Sequence, residues 1–457
     1  MAERTPPVAA APDQREHPTS TRGLALVWFG QLVSLVGSSL TGFVLGVWVF
    51  QQTGSATKFA LIMFAGVLPA VLLSPVTGVL ADRVDRRRLM LLADLGGGAV
   101  TAVLALLLYA DALEVWHVYV TTGLGAIFVT VHAVAFNTLL PALVPARHLG
   151  RANGLMQILQ AAQIAAPVLA ASLLAIVGLR GIVLIDLGTM IVGVALLLLA
   201  RLPSALTAPP VTGREITLRA DLAHGWRYLS SHRPLRRLVL VFAAFNFLFA
   251  TAGVLIQPLI LSFTSVEVLG VLMLLGGSGV FAGSLLMAAW GGPVPRVRGI
   301  AIFLALGGLA LAAHAARPSA LLIAMAAPAF LLTLPILNGS AMTIVQTVTD
   351  PASLGRVIAT VRMCALGAAP VAYLLAGPLS DRLAEPAFAP GGELSTSLGR
   401  VIGTGPGRGI AAIFLGLGVG MILLALLVRS SRELATLDAA PDARATTAEG
   451  ADPCPSP

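Results

Sequence analysis

Apolar stretches of about twenty residues, divided by short polar turns, follow one another along most of the 457-residue chain. A helix needs about 20 apolar residues to cross the ~30 Å hydrocarbon layer of a membrane. Runs of that length lie near 24–50, 59–80, 89–110, 115–140, 153–177 and 181–200, then near 236–261, 266–290, 299–316, 319–347, 355–380 and 409–428. The pattern predicts an all-α membrane protein of twelve transmembrane helices, spans 1 to 12 in chain order.

Composition agrees. Hydrophobic residues are 57% of the chain and charged residues 11%, against roughly 25% charged in soluble domains. The formal charge of +8 is spread over short loops and not gathered on one face, which excludes a nucleic-acid partner. The densest cluster is Gly78-Val-Leu-Ala-Asp-Arg-Val-Asp-Arg-Arg-Arg88, with apolar sequence on both sides. A charge in hydrocarbon costs at least ~2.5–3.5 kcal/mol, so this cluster is an aqueous turn between spans 2 and 3. One set of connections collects Arg22, Arg83 to Arg88, Arg147, Arg151, Arg201 to Arg237, Arg296, Arg298, Arg356, Arg429 and Arg432. The other carries Lys58, Asp111, Glu114, Arg180, Glu267, Arg317 and a mixed loop from Asp381 to Arg408. Arginine-rich loops stay on the side of synthesis, so both termini are expected in the cytoplasm.

Lys58 is the sole lysine among 29 basic residues, and Ala, Gly and Pro are abundant. That bias suggests a high-GC bacterial genome, hence a bacterial cytoplasmic membrane. Cys364 and Cys454 give neither a disulfide framework nor metal spacing, and no cofactor is implied. Residues 1–22 are polar without a signal-peptide core; they and 431–457, rich in Ala, Pro, Asp and Thr, are expected to be disordered cytosolic tails.

Two halves of six spans, 23–200 and 236–430, flank a polar connector at 201–235. Val144-Pro-Ala-Arg-His-Leu-Gly-Arg151 stands 205 residues before Thr349-Asp-Pro-Ala-Ser-Leu-Gly-Arg356, and at the same offset Gly78 falls on Gly283. Internal repeats with a binding site between them at mid-membrane are the plan of secondary transporters. In the connector, Leu218, Leu222, Trp226 and Leu229 recur at near-helical spacing among arginines. This predicts an amphipathic helix on the inner leaflet that tethers the halves.

Gly78 to Arg87 resembles the loop between helices 2 and 3 of the major facilitator superfamily. Gln31-Leu-Val-Ser-Leu-Val-Gly37, Thr53-Gly-Ser55, Leu68-Pro69, Pro75, Gly225-Trp-Arg-Tyr-Leu229 and Arg233-Pro-Leu-Arg236 narrow the match. Together they resemble the drug-efflux branch that holds macrolide efflux proteins and the enterobactin exporter. The resemblance implies a transporter of small molecules, coupled to protons and working as a monomer in the bilayer. Gly78, Asp82, Arg83, Arg86 and Arg87 are the expected gating motif. Asp82 would accept hydrogen bonds from a helix N-terminus near Leu354–Arg356, or from Arg86, holding the cytoplasmic side shut. The same arginines would in any case anchor anionic lipid. The second-half counterpart from Gly283 to Trp290 lacks Asp and Arg, so a lock there is asymmetric.

Ionisable residues inside spans are functional candidates: Asp186 in span 6, His132 in span 4 and Arg362 in span 11. Asp186 is expected to lack a cationic partner and to exchange protons, or else to bridge helix ends. His132 is a second proton candidate, or a packing residue. Asp94, at the start of span 3, is expected to pair with the nearby arginines. The branch often carries an acidic residue where Ser38 and Ser39 stand. Ala166-Pro167-Val-Leu-Ala170-Ala171 resembles an antiporter motif with each glycine replaced by alanine. Neutral polar residues are candidates for a cavity lining: Gln31, Ser34, Asn137, Asn153, Gln157, Gln160, Asn246, Gln257, Asn338 and Gln346. Asn153, Gln157 and Gln160 share a helical face. So little buried charge favours a neutral or amphipathic cargo.

The leading reading is proton-driven efflux of a drug-like or secondary-metabolite molecule, antibiotic or siderophore-like. Uptake or lysophospholipid-type transport, and a non-transporting receptor or assembly factor, are the alternatives. No nucleophile elbow, metal cluster or nucleotide loop points to an enzyme, and Gly-x-x-x-x-Gly-Lys-Ser/Thr is absent.

The topology predicts that an impermeant thiol reagent added to intact cells labels a cysteine at Ala112 and not one at Ser430. The reverse pattern would invert the protein in the membrane.

Overall fold

The computed structural model describes residues 21–142, 149–200 and 226–438. In the first half, α1 (Thr21–Thr53), α2 (Ala56–Arg83), α3 (Arg86–Tyr109), α4 (Val115–Ala142) and α5 (Leu149–Leu199) follow in order. The second half has α6 (Arg233–Leu261), α7 (Val266–Trp290), α8 (Arg296–Ala313), α9 (Ala320–Val348) and α10 (Pro351–Pro378). A π-helical turn (Leu379–Ala384) and the short α11 (Glu385–Phe388) and α12 (Gly399–Ile402) then lead to α13 (Arg408–Ser430). Among the described residues every regular element is helical, as a chain must be where no water can satisfy its backbone.

Among the described residues, eleven helices are long and apolar enough to cross a membrane. One of them, α5, has 51 residues, about 77 Å at 1.5 Å per residue, more than twice the hydrocarbon thickness. Gly178, at φ 67° and ψ −179°, breaks it in a conformation that glycine adopts without penalty. The two arms of α5 are spans 5 and 6, and the twelve expected spans are present.

Polar side chains close the short connections. Asp85 accepts from the Arg88 amide at 2.9 Å and starts α3. At the other end of α3, Arg180 donates to the Leu108 carbonyl at 3.1 Å, pairs with Asp111 and stands over the Tyr109 ring. Arg87 donates to the carbonyls of Leu197 and Leu198 at 3.2 and 2.8 Å, closing the second arm of α5. Cations belong at helix C-termini and carboxylates at N-termini.

The C-terminal tail begins later than expected. Residues 432–438 are helical, with Leu434 and Leu437 buried in the second-half core. Asp438 accepts from the Val297 amide at 3.0 Å, capping α8, and Glu433 pairs with Arg237 at 2.9 Å. Charge and small residues read as tail in the sequence, but docking buries the leucines and gives the carboxylates work. In the connector, Leu218 and Leu222 lie outside the described residues; 226–231 is helical, with Trp226 exposed and Leu229 buried.

Close packing depends on glycine. On α7, Gly279 faces the Pro328 backbone and Gly283 faces the Leu332 carbonyl of α9, so nearly that a Cβ at either would overlap them. Small residues allow such approach where lipid gives no hydrophobic drive to helix pairing. The two halves touch in the helical turns next to the mixed-charge end. There Leu40 to Val47 of α1 and Ala166 to Ala171 of α5 pack with Ile260, Val266, Leu269, Leu272 and Ile323. The alanine-substituted Ala166–Ala171 stretch meets Gly270, where a Cβ would lie 2.9 Å from that of Ala171 and 3.0 Å from the Pro167 carbonyl.

Gly283→Val is expected to destabilise the fold by roughly 1–3 kcal/mol through overpacking, read as a fall in melting temperature in detergent. Gly98→Val, where nothing lies within 4 Å, should leave it near wild type.

Candidate functional site

The polar interior of the first half is organised by one helix crossing. Gly30 and Gly37 of α1, seven residues apart, face Gly193 and Asp186 on the second arm of α5, also seven apart. A Cβ at Gly30 would lie 3.3 Å from the Gly193 carbonyl, and one at Gly193 would lie 3.4 Å from the Gly30 carbonyl. Two antiparallel helices with glycines at that spacing meet backbone to backbone. Polar groups on their flanks are drawn inside with them.

Asp186 is one of those groups and is only 2% exposed. Ser38 donates to its carboxylate at 3.1 Å, and Thr41, one helical turn on, presents a buried hydroxyl to it. Thr189 donates to the Asp186 carbonyl at 2.7 Å. Ser38, at the span 1 position where the branch often carries an acidic residue, is here a donor to a carboxylate on span 6.

Asp94 corrects a second expectation. Its carboxylate lies 3.3 Å from His132 Nε2, across the α3–α4 interface. It does not pair with Arg87, which has turned to the end of α5, nor with Arg88, which is exposed. His132 stacks on Phe136 one turn away. Gln31 and Ser34 of α1 and Gly193 and Leu197 of α5 complete the walls of a small cavity around the pair. Its volume of about 10 Å³ is close to the room one water molecule needs. Asp186 is therefore not the only acidic residue inside a span. Three helices, α1, α3 and α4, deliver a carboxylate, an imidazole, an amide and a hydroxyl to one point, a constellation that can hold and pass a proton.

The other candidates scatter. The side chains of Gly78, Asp82, Arg83, Asn137, Asn153 and Gln157 lie outside the described residues. Arg86 is half-buried and Arg362 exposed. Gln160, Asn338 and Gln346 are exposed as well. Asn246 spends its amide on the Phe242 carbonyl of its own helix at 2.7 Å, so it acts there as a helix-internal bond. Gln257 keeps a buried Oε1 with no hydrogen-bond partner. The sequence missed Asp94 as a site residue because a carboxylate seven residues after Arg87 reads as that arginine's partner. Its neighbour His132 is 38 positions away, and only the α3–α4 packing joins them.

The Major Facilitator Superfamily model matches residues 27–373, about three quarters of the chain and both halves of the bundle. The chain belongs to that superfamily. It is a multi-pass membrane transporter and not an enzyme. Among curated proteins it is similar to macrolide efflux protein A of Streptococcus pyogenes, 26% identical over 363 residues, covering 78% of this chain and 89% of that one. It is also similar to the multidrug efflux pump Tap of Mycobacterium tuberculosis, 28% identical over 375 residues, covering 79% and 88%. The relationship to the drug-efflux branch thus extends through most of both chains. Among solved structures, a bacterial homologue of the lysosomal transporter spinster superposes with a TM-score of 0.65 at 15% identity, covering 92% of this chain and 98% of that one. A bacterial homologue of ferroportin gives 0.66 at 15%, covering 90% and 100%. These two share the fold.

Proposed function

We propose that the protein is a proton-driven exporter of neutral or amphipathic drug-like molecules, working across the bacterial cytoplasmic membrane with both termini in the cytoplasm. The export direction and cargo class rest on likeness to macrolide and multidrug efflux proteins over some four fifths of the chain. Proton coupling rests on one observation, the Asp94–His132 pair held inside the first half next to Gln31 and Ser34. In this reading the Gly78–Arg87 loop gates the cytoplasmic side, and the monomer is the working unit.

The pair can share one added proton between carboxylate and imidazole. With that proton bound, carboxylate and imidazole attract each other and favour one spacing of α3 and α4; without it the carboxylate faces a neutral imidazole and the ionic attraction is gone. A proton that binds one arrangement of the bundle better than the other biases the two-state equilibrium by that difference, and only by that difference. Gln31 and Ser34 of α1 share the cavity wall, so a change in the pair reaches the helix that packs against the second arm of α5. Asp186, which accepts from the Ser38 hydroxyl, is a second carboxylate along the same crossing and the runner-up as coupling site.

For one proton exchanged per neutral substrate, a pH gradient of one unit supports about tenfold accumulation. Proteoliposomes with the membrane potential clamped to zero read this directly. The wild-type protein is expected to concentrate a fluorescent macrolide analogue, whereas Asp94→Asn and His132→Gln are expected to equilibrate it at a ratio of about one while keeping substrate exchange. Asp186→Asn is expected to retain accumulation. If both pair variants accumulate like wild type and Asp186→Asn does not, the coupling site moves to Asp186; retention by all three removes proton coupling from this site.

A further inference from the structure

The π-helical turn after α10 and the start of α11 hold two carboxylates with different duties, Asp381 and Glu385. Glu385 accepts from the amides of Gly407 and Ile410 at 3.1 and 2.9 Å, capping α13 within its own half. Asp381, one turn earlier, reaches across to the first half. It accepts from the Ser55 hydroxyl at 2.6 Å and from the amides of Ala56 and Thr57 at 3.1 and 2.9 Å. These are the first residues of α2, whose leading amides have no partner inside their own helix. Beside this cap, Gly377 lies so close to Thr57 that a Cβ would overlap the threonine backbone.

The sequence around Asp381 is familiar. Gly377-Pro-Leu379-Ser-Asp381-Arg382 repeats the pattern Gly-x-Leu-x-Asp-Arg of Gly78-Val-Leu80-Ala-Asp82-Arg83. The first copy ends α2 at the arginine-rich end. The second follows the end of α10, at the mixed-charge end. Because α2 and α10 run in opposite directions, the second copy stands where α2 begins. The asymmetry left by Gly283 to Trp290 is thereby resolved: the partner motif is on span 11.

We propose that Asp381 is the latch of the outer gate, a positioning residue that holds the two halves together at the external face by capping α2 and must release it when the exporter opens outward. The inference rests on the orientation proposed above, and it assigns the second-half motif a role reciprocal to that of Asp82. Charge-assisted bonds to three donors make the cap stronger than neutral bonds would be. A cavity of about 740 Å³ lined by Ser55, Ala56, Asp381, Glu385 and Gly407 lies alongside. It lets water take over these bonds as the halves part, so release does not strand the carboxylate. Glu385 keeps the turn fixed to α13, and motion at Asp381 is then motion of the halves.

The test uses the full-length chain with Cys364→Ser and Cys454→Ser, and Ala60→Cys as reporter. Ala60 is buried one turn into α2, on the face of Ala56 and Thr57. In intact cells, Asp381→Ala should raise labelling of that cysteine by an impermeant maleimide about tenfold, the scale expected for loss of a charged cap. Ser55→Ala, which deletes one of three donors, should give a smaller rise, and Arg382→Ala none. A cysteine at Ala135, buried in the first-half core, must stay unlabelled throughout. Wild-type labelling in folded Asp381→Ala, or in Ser55→Ala should the former not accumulate, overturns the latch, as does labelling that also rises at Ala135. A rise found in inside-out vesicles and not in cells supports the latch and overturns the orientation.

Discussion

A backbone or charge that enters hydrocarbon has to bring its own partner, and this chain meets that requirement by making helix ends serve one another. Asp381 caps α2, Glu385 caps α13, Asp438 caps α8, and Arg87 closes the second arm of α5. In each case an end that would otherwise need water or a long loop is satisfied by a side chain from another element. The loops can therefore be short. Each cap is also a tie, since it fixes where one helix lies relative to the next. Among the caps described, most are internal to a half, and Asp381 joins the two halves.

Close backbone approach supplies the rest of the framework. Gly30 on Gly193, Gly279 on Pro328, Gly283 on Leu332 and Gly377 on Thr57 remove side chains from the contact, so that dispersion and carbonyl contacts act over short distances. Where such a crossing carries polar neighbours, they are forced inside. This explains how a chain with so few charges places Asp94, His132, Gln31 and Ser34 around one small cavity and Asp186 against Ser38. A polar cluster in a dry interior responds strongly to one added proton. The cluster and the tie thus sit on different helices: α1, α3, α4 and α5 line the cluster, and α2 receives the cap from the turn that follows α10.

Several sites were legible only in part. The apolar runs located every span to within a few residues, because twenty apolar positions in a row have no other solution in a bilayer. Asp186 was legible as an isolated carboxylate in a span. Asp94 was misread because sequence distance favoured Arg87, and the true partner, His132, comes from the next helix. The tail was misread because Leu434 and Leu437 look unremarkable until a surface exists to bury them. Asp381 was readable in principle from its Gly-x-Leu-x-Asp-Arg context, but as part of a mixed-charge loop it read as solvent-facing.

The sequence by itself determined the class, the number of spans, the division into two halves and the superfamily. All of these follow from local quantities: hydrophobic length, loop charge and short motifs. Tertiary structure alone decided which polar groups meet. Partner choice depends on helix crossings set by glycines far apart in the chain, such as Gly30 with Gly193, and on a turn geometry at Leu379–Ala384 that no local pattern specifies. A carboxylate's role is fixed by what stands beside it, and for Asp94, Asp186 and Asp381 that neighbour is brought by another helix or its first turn.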